Sequence, residues 1–208
     1  MNRIYIETDS STGNNTNEYR FFETILKKWN INAEIIGVGG WNKLALFDNQ
    51  FIDTIKSGGQ NLVLFDADGG WNDGGFEKRK KELLVEKERL KIEFELFLLP
   101  NNQSDGDLET LLENSINSKH RPLIDCFLNY ENCIEKYNSE DKTLYEVPLR
   151  KARIYLYINA FPKSKTQSER FKNKGDWFFE NTEYWHLSSD YLRPLEIFLS
   201  KLKPENKK

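Results

Sequence analysis

The residues able to do chemistry in this chain are mostly carboxylates. Thirty-three Asp and Glu stand against two His and two Cys in 208 residues. Zinc asks for Cys and His clustered at short spacings. Here His120 and His186 lie in unrelated contexts, and Cys126 and Cys133 stand seven apart in a segment that reads as helix. Neither a nucleophile-elbow serine nor a supported Cys–His pair is visible. A metal or acid-base site must therefore be built from Asp and Glu. The candidates are Glu7, followed by Thr8 and Asp9, then Asp66-Ala67-Asp68, and finally Asp107-Leu108-Glu109. Asp66 and Asp68 are two apart, so on a continuing strand they would face the same way. Carboxylates gathered in one place repel unless something cancels their charge. A hard divalent cation does so, and oxygen ligands select Mg²⁺, Mn²⁺ or Ca²⁺. Taken singly, such acids also cap helices and form turns.

The elements that must position these acids alternate through the first half. Arg3 to Glu7, Ala33 to Val38, Asn61 to Phe65 and Glu93 to Leu99 read as strands. The third is continuously apolar, as in a sheet covered on both faces. Between them, helices are expected over 18–29, with Asn17 or Thr16 as cap, over 44–57 and over 76–90. A polar loop, longer than usual, runs from Ser10 to Thr16. This βαβαβαβ order implies a largely parallel four-stranded sheet with right-handed crossovers. In such sheets ligands bind at the carboxyl ends of the strands, which is where the candidate acids fall. In the second half, helices are expected over 107–117, 122–137 and 191–202, and a helix over 148–161 with strand as the alternative because of its β-branched and aromatic residues, with Lys163 to Gly175 polar and basic and a frayed KPENKK tail. Two parts are expected, an α/β domain over 1–135 and a mainly helical extension over 136–208 packed on the same domain.

Composition narrows the class. The aromatic share of 13% argues against a disordered chain. No apolar run approaches the roughly 20 residues of a membrane span, and MNRIYIETDS turns polar too early for a secretory signal. The cytoplasm is the expected location, with no membrane and no disulfide partner. A net charge of −3 excludes a globally basic nucleic-acid binder while leaving room for a local basic surface.

The pattern resembles the Toprim domain of topoisomerases, DnaG-type primases, OLD nucleases and RecR proteins. The resemblance rests on a glutamate closing the first strand, Glu7, and an Asp-x-Asp closing the third, Asp66 and Asp68. The chain is similar, more closely, to a little-characterised family of short prokaryotic Toprim-like proteins. In these the fourth strand runs into a Pro-Asn-Asn turn, a Gly and a helix-opening Glu, here Pro100, Asn101, Asn102, Gly106 and Glu109. The likeness covers residues 1 to about 135 and continues faintly to the last helix. It implies a Toprim-like, Rossmannoid three-layer fold with additional C-terminal helices. It further implies Mg²⁺ or Mn²⁺ held by Asp66 and Asp68, Glu7 as acid/base or further ligand, Glu109 close to the metal, and DNA or RNA as partner. Thr8 stands where Toprim domains usually carry glycine.

These 208 residues are expected to hold neither a second large domain to gate DNA nor a primase-like zinc region. The expected activity is therefore a small metal-dependent nuclease or phosphodiesterase, with a non-catalytic metal and nucleic-acid binding module as alternative. A second alternative is a haloacid-dehalogenase-like phosphatase, because DADGG resembles its Asp-x-Asp-Gly motif with Asp66 as nucleophile. That motif normally follows the first strand, and here it follows the third. GVGGWNKL lacks the Gly-Lys-Ser/Thr of a P-loop. Lys78, Arg79, Lys80 and Lys81 are candidates for holding phosphates, or form a solvated helix face. Phe171, Trp177, Phe178, Phe179, Tyr184 and Trp185 are candidates for stacking bases, or pack in a core.

Overall fold

A computed structural model describes residues 1–9, 16–141 and 144–203. The long loop expected from Ser10 to Thr16 lies, but for Thr16, outside these residues, as does most of the C-terminal tail. Four strands form one parallel sheet: β1 (Arg3–Ile6), β2 (Glu34–Gly37), β3 (Asn61–Asp66) and β4 (Glu95–Leu99), in the order β2-β1-β3-β4. Ile4 pairs with Ile35 on one side and Leu62 on the other, and Asp66, the last residue of β3, is level with Leu99. Three helices connect the strands: α1 (Asn17–Lys28), α2 (Asp48–Lys56) and α3 (Phe76–Leu90). They are followed by α4 (Leu108–Glu113), α5 (Arg121–Asp141), α6 (Arg150–Asn159), α7 (Lys165–Lys174) and α8 (Arg193–Ser200). This is the expected α/β class, with a Rossmann-like three-layer arrangement.

The apolar alternation of the strands explains the layers. Tyr5, Val63, Phe65 and Leu98 face one way and build a core with Phe51 of α2 and Phe76 and Leu83 of α3. Within it the Tyr5 and Phe51 rings stack at 3.9 Å and 11°. Ile4, Ile6, Leu62, Leu64, Phe97 and Leu99 are buried on the opposite face. There Phe97 meets Phe198 of α8 at 5.2 Å. Right-handed crossovers put α1 on the face opposite α2 and α3, and α1 buries Phe21, Phe22, Ile25 and Leu26.

The chain divides into two compact units, residues 1–111 with 187–208, and residues 112–186. The second unit has its own core, in which the Trp185 ring nitrogen donates to the Trp177 carbonyl at 2.7 Å and the Tyr157 hydroxyl to the Tyr184 carbonyl at 2.7 Å. Phe171, Trp177, Phe178, Phe179, Tyr184 and Trp185 are all buried, so these six rings pack and do not offer faces to bases. Arg153 is a polar node of the same unit, bound to Glu131 and to Glu113, each at 2.7 Å.

Two elements depart from expectation. The helix expected from residue 44 opens earlier, as a 3₁₀ segment over Trp41–Phe47 that leads into α2. The polar stretch from Lys163 contains α7, opened by a capping box in which Ser164 and Gln167 satisfy each other's backbone amides. No described helix is long and apolar enough to cross a membrane, and Cys126 and Cys133 are exposed free thiols.

Candidate functional site

The carboxyl ends of β1 and β3 lie side by side in the sheet, so Glu7 and Asp66 become neighbours. The Asp66 amide donates to Glu7 Oε2 at 3.2 Å, and the Trp41 amide, in the loop after β2, donates to the same carboxylate. The Glu7 amide in turn donates to Glu18 Oε1 at 3.0 Å, in the first turn of α1. Burial raises the Glu7 pKa above the usual carboxylate range and the charge of Asp68 adds to this, against the pull of the two amides and of Arg79.

Asp66 is the most perturbed acid. Its Oδ1 accepts from the Leu108 amide at 2.9 Å, at the start of α4. Its pKa stands well above the ordinary value, first because it is shielded from water and then because Glu7, Glu18, Glu109 and Asp107 all bear on it. Asp107 caps α4, its Oδ1 taking the amide and the hydroxyl of Thr110. Glu109 stands in the first turn of that helix. The tight turn after β4 aims α4 at Asp66. In that turn the Leu98 amide donates to Asn102 Oδ1 and the Asn102 amide to the Leu98 carbonyl.

Asp68 behaves differently. β3 ends at Asp66, and Asp68 takes a left-handed φ of 56°, so the strand alternation that would align it with Asp66 stops. Its backbone carbonyl accepts from Gly106 at 2.7 Å. One carboxylate oxygen accepts from Arg79 Nη2 and the other from Asn72 Nδ2, both at 2.9 Å. Gly74 leaves the space for this turn, since a Cβ there would sit 2.3 Å from the Asp68 Cβ.

Arg79 separates itself from the basic run around it. Its side chain is 5% exposed, it also binds Glu82, and its guanidinium lies 4.8 Å from the centre of the Trp41 ring. Its Nε is buried without a hydrogen-bond partner. Lys78, by contrast, pairs with Asp73 at the surface.

The structure therefore brings Glu7, Asp66, Asp68 and Glu109 into one electrostatic neighbourhood. Glu18 and Trp41, to which the sequence assigned no part in the site, join them, as does Arg79, a candidate for holding phosphates that here binds Asp68 instead. Among the described residues no three Asp, Glu, His or Cys side chains are arranged to hold a metal ion. As a donor set for a hard cation the cluster fits in part. Glu7 and Asp66 are oxygen donors whose mutual repulsion a cation would relieve. Asp68 already has both oxygens occupied.

Neither a curated protein nor a solved structure matches the chain. A family model described as "Protein of unknown function (DUF3226)" matches residues 15–203. The matched stretch includes Asp66, Asp68, Arg79 and Glu109 and begins after Glu7. This chain belongs to the DUF3226 family.

Proposed function

We propose that this protein is a Toprim-like, divalent-metal-dependent protein acting on nucleic-acid phosphodiesters, as a small nuclease or phosphodiesterase. Asp66 would hold Mg²⁺ or Mn²⁺, Asp68 would join it by giving up its hydrogen bond from Asn72 or Arg79, Glu7 would serve as acid/base or further ligand, and Glu109 would stand near the metal. The observation that carries this reading is Asp66, a shielded carboxylate at the end of a central parallel strand, with four further acids bearing on it. Such a group is costly when ionised and becomes favourable once a cation is beside it. The bound cation would neutralise charge on a phosphodiester and make water a better nucleophile. The protein groups keep Glu7 fixed through two backbone amides and orient Asp66 through the amide of Leu108.

The second reading, a non-catalytic metal and nucleic-acid binding module, is favoured by the grip of Arg79 and Asn72 on Asp68. The test is calorimetric titration with Mn²⁺, followed by incubation with single- and double-stranded DNA and RNA. Wild type is expected to bind the ion, and the double variant Asp66→Asn with Asp68→Asn to bind it weakly. Cleavage that disappears in Glu7→Gln supports the enzyme. Binding without cleavage supports the module, and absence of any binding refutes both.

A further inference from the structure

Charge is unevenly spread along the chain. Residues 150–174 contain eight Lys and Arg and one Glu, in a chain of thirty Lys and Arg against thirty-three Asp and Glu. This stretch folds into α6 and α7 of the second unit. Some of its cations serve the fold. Arg153 holds Glu113 and Glu131, Arg170 holds Asp176 and Glu180, and Lys163 donates to the carbonyls of Ile158 and Phe161. Lys151, Lys165 and Lys172 are exposed. Lys165 and Lys172 are two helical turns apart and share one face of α7, and Lys151 lies one turn before Tyr155 on α6.

Tyr155 gives this basic surface a flat aromatic group. Its ring is 44% exposed and stacks on buried Phe171 of α7 at 4.6 Å and 25°. The side of Phe171 also receives Lys163, 4.8 Å from the ring centre. A rigidly backed ring beside exposed lysines is the combination that holds single strands, with the lysines tracking phosphates and the ring accepting a base. A lipid surface fits less well, because the exposed residues of α7 are all polar, Lys165, Thr166, Glu169, Lys172, Asn173 and Lys174, and α6 with its N-cap adds only Leu149 and Leu156 as exposed aliphatic side chains, short of a continuous apolar face.

We infer that the α6–α7 surface of the second unit binds single-stranded nucleic acid, with Tyr155 stacking on a base and Lys151, Lys165 and Lys172 contacting phosphates. The inference rests on the proposed function for its phosphodiester target and adds where the polymer is held. The test is fluorescence anisotropy with a labelled oligothymidine of about 20 nucleotides, in EDTA, over salt concentrations from about 50 to 200 mM. Chelation removes any part played by the strand-end acids, so failure there and failure here are separable. Wild type is expected to bind the single strand more tightly than the matching duplex. Tyr155→Leu, which keeps Phe171 covered but removes the flat ring, is expected to weaken binding about tenfold. The double variant Lys165→Ala with Lys172→Ala, at two exposed positions and therefore safe for folding, is expected to lower the slope of log K against log salt by about 1.4. The inference is overturned by absence of binding at low salt, by an unchanged slope in the lysine variant, or by duplex binding as tight as single-strand binding. Equal affinity for polyglutamate or for phosphatidylserine vesicles also overturns it, in favour of an acidic protein or a membrane surface.

Discussion

Asp66→Asn separates the charge of the central acid from its shape. Asparagine keeps an oxygen able to accept from the Leu108 amide, so the hydrogen bond at 2.9 Å has a replacement. What is lost is a carboxylate raised well above its ordinary pKa by burial and by Glu7, Glu18, Glu109 and Asp107. Below the unfolded pKa of about 3.9, folded and unfolded chains both hold the proton, and variant and wild type differ little. As pH rises past that value the unfolded chain releases the proton while the folded chain retains it. Wild-type stability therefore falls relative to the variant until the folded carboxyl itself ionises, and the gap is constant above that point. Two carboxylates about 5 Å apart at an effective dielectric of about 20 repel by about 3 kcal/mol. Relaxation and retained protonation reduce this, so the variant is expected to gain about 1–2 kcal/mol at pH 8, or about 2–8 °C in Tm for a chain of this size. The assay is thermal unfolding of both proteins in EDTA from pH 4 to pH 8. With Mn²⁺ at about 100 times its Kd the order should reverse, since the ion would add about 2.7 kcal/mol to wild type alone. An Asp66→Asn variant less stable than wild type at pH 8 without metal, or a difference that does not change with pH, would refute the reasoning.

Three further outcomes are expected. Arg79→Met should cost about 3 kcal/mol in urea unfolding, because it leaves Asp68 shielded with no cation beside it and removes the contact with Trp41. Arg153→Met should cost about 3 kcal/mol at pH 8 and less at pH 4. Burial already raises the Glu113 pKa against the pull of Arg153, so without Arg153 the folded carboxyl titrates higher still and the cost grows as pH rises. Gly74→Ala should unfold readily or displace the Asp68 turn, read as a lower Tm, because its Cβ would fall 2.3 Å from the Asp68 Cβ and 2.9 Å from the Ala67 carbonyl.

The strands were legible because their chemistry is one-sided. RIYI, EIIG, NLVLF and ELFLL are dense in β-branched, leucine and aromatic residues, and each lies within a stretch read as a strand. The helix α3 was legible for the opposite reason, a periodic Phe76 and Leu83 in an otherwise charged run. The helix α7 was not, because Phe171 is its single buried residue and KTQSERFKNK has no apolar period. Its signal was local. Ser164 followed three residues later by Gln167 is a capping box, which specifies a helix start without any apolar face.

The site was legible as a place more than as a geometry. Glu7 and Asp66 follow from the rule that parallel strands end together, and the sheet order makes them neighbours. Asp68 shows where spacing stops being informative. Two acids separated by one residue share a face only if the backbone stays extended, and the left-handed turn at Asp68, for which Gly74 clears the space, removes that condition. The cation that answers Asp68 then comes from position 79, eleven residues on, inside a basic run whose members look alike in one dimension. Only Arg79 of that run is buried, since it lies three residues from Phe76 and four from Leu83 and so shares their inward side of α3. An Asp-x-Asp at a strand end is thus two separate questions, and the second acid should be judged by the turn it makes and by the cation its own helix returns to it.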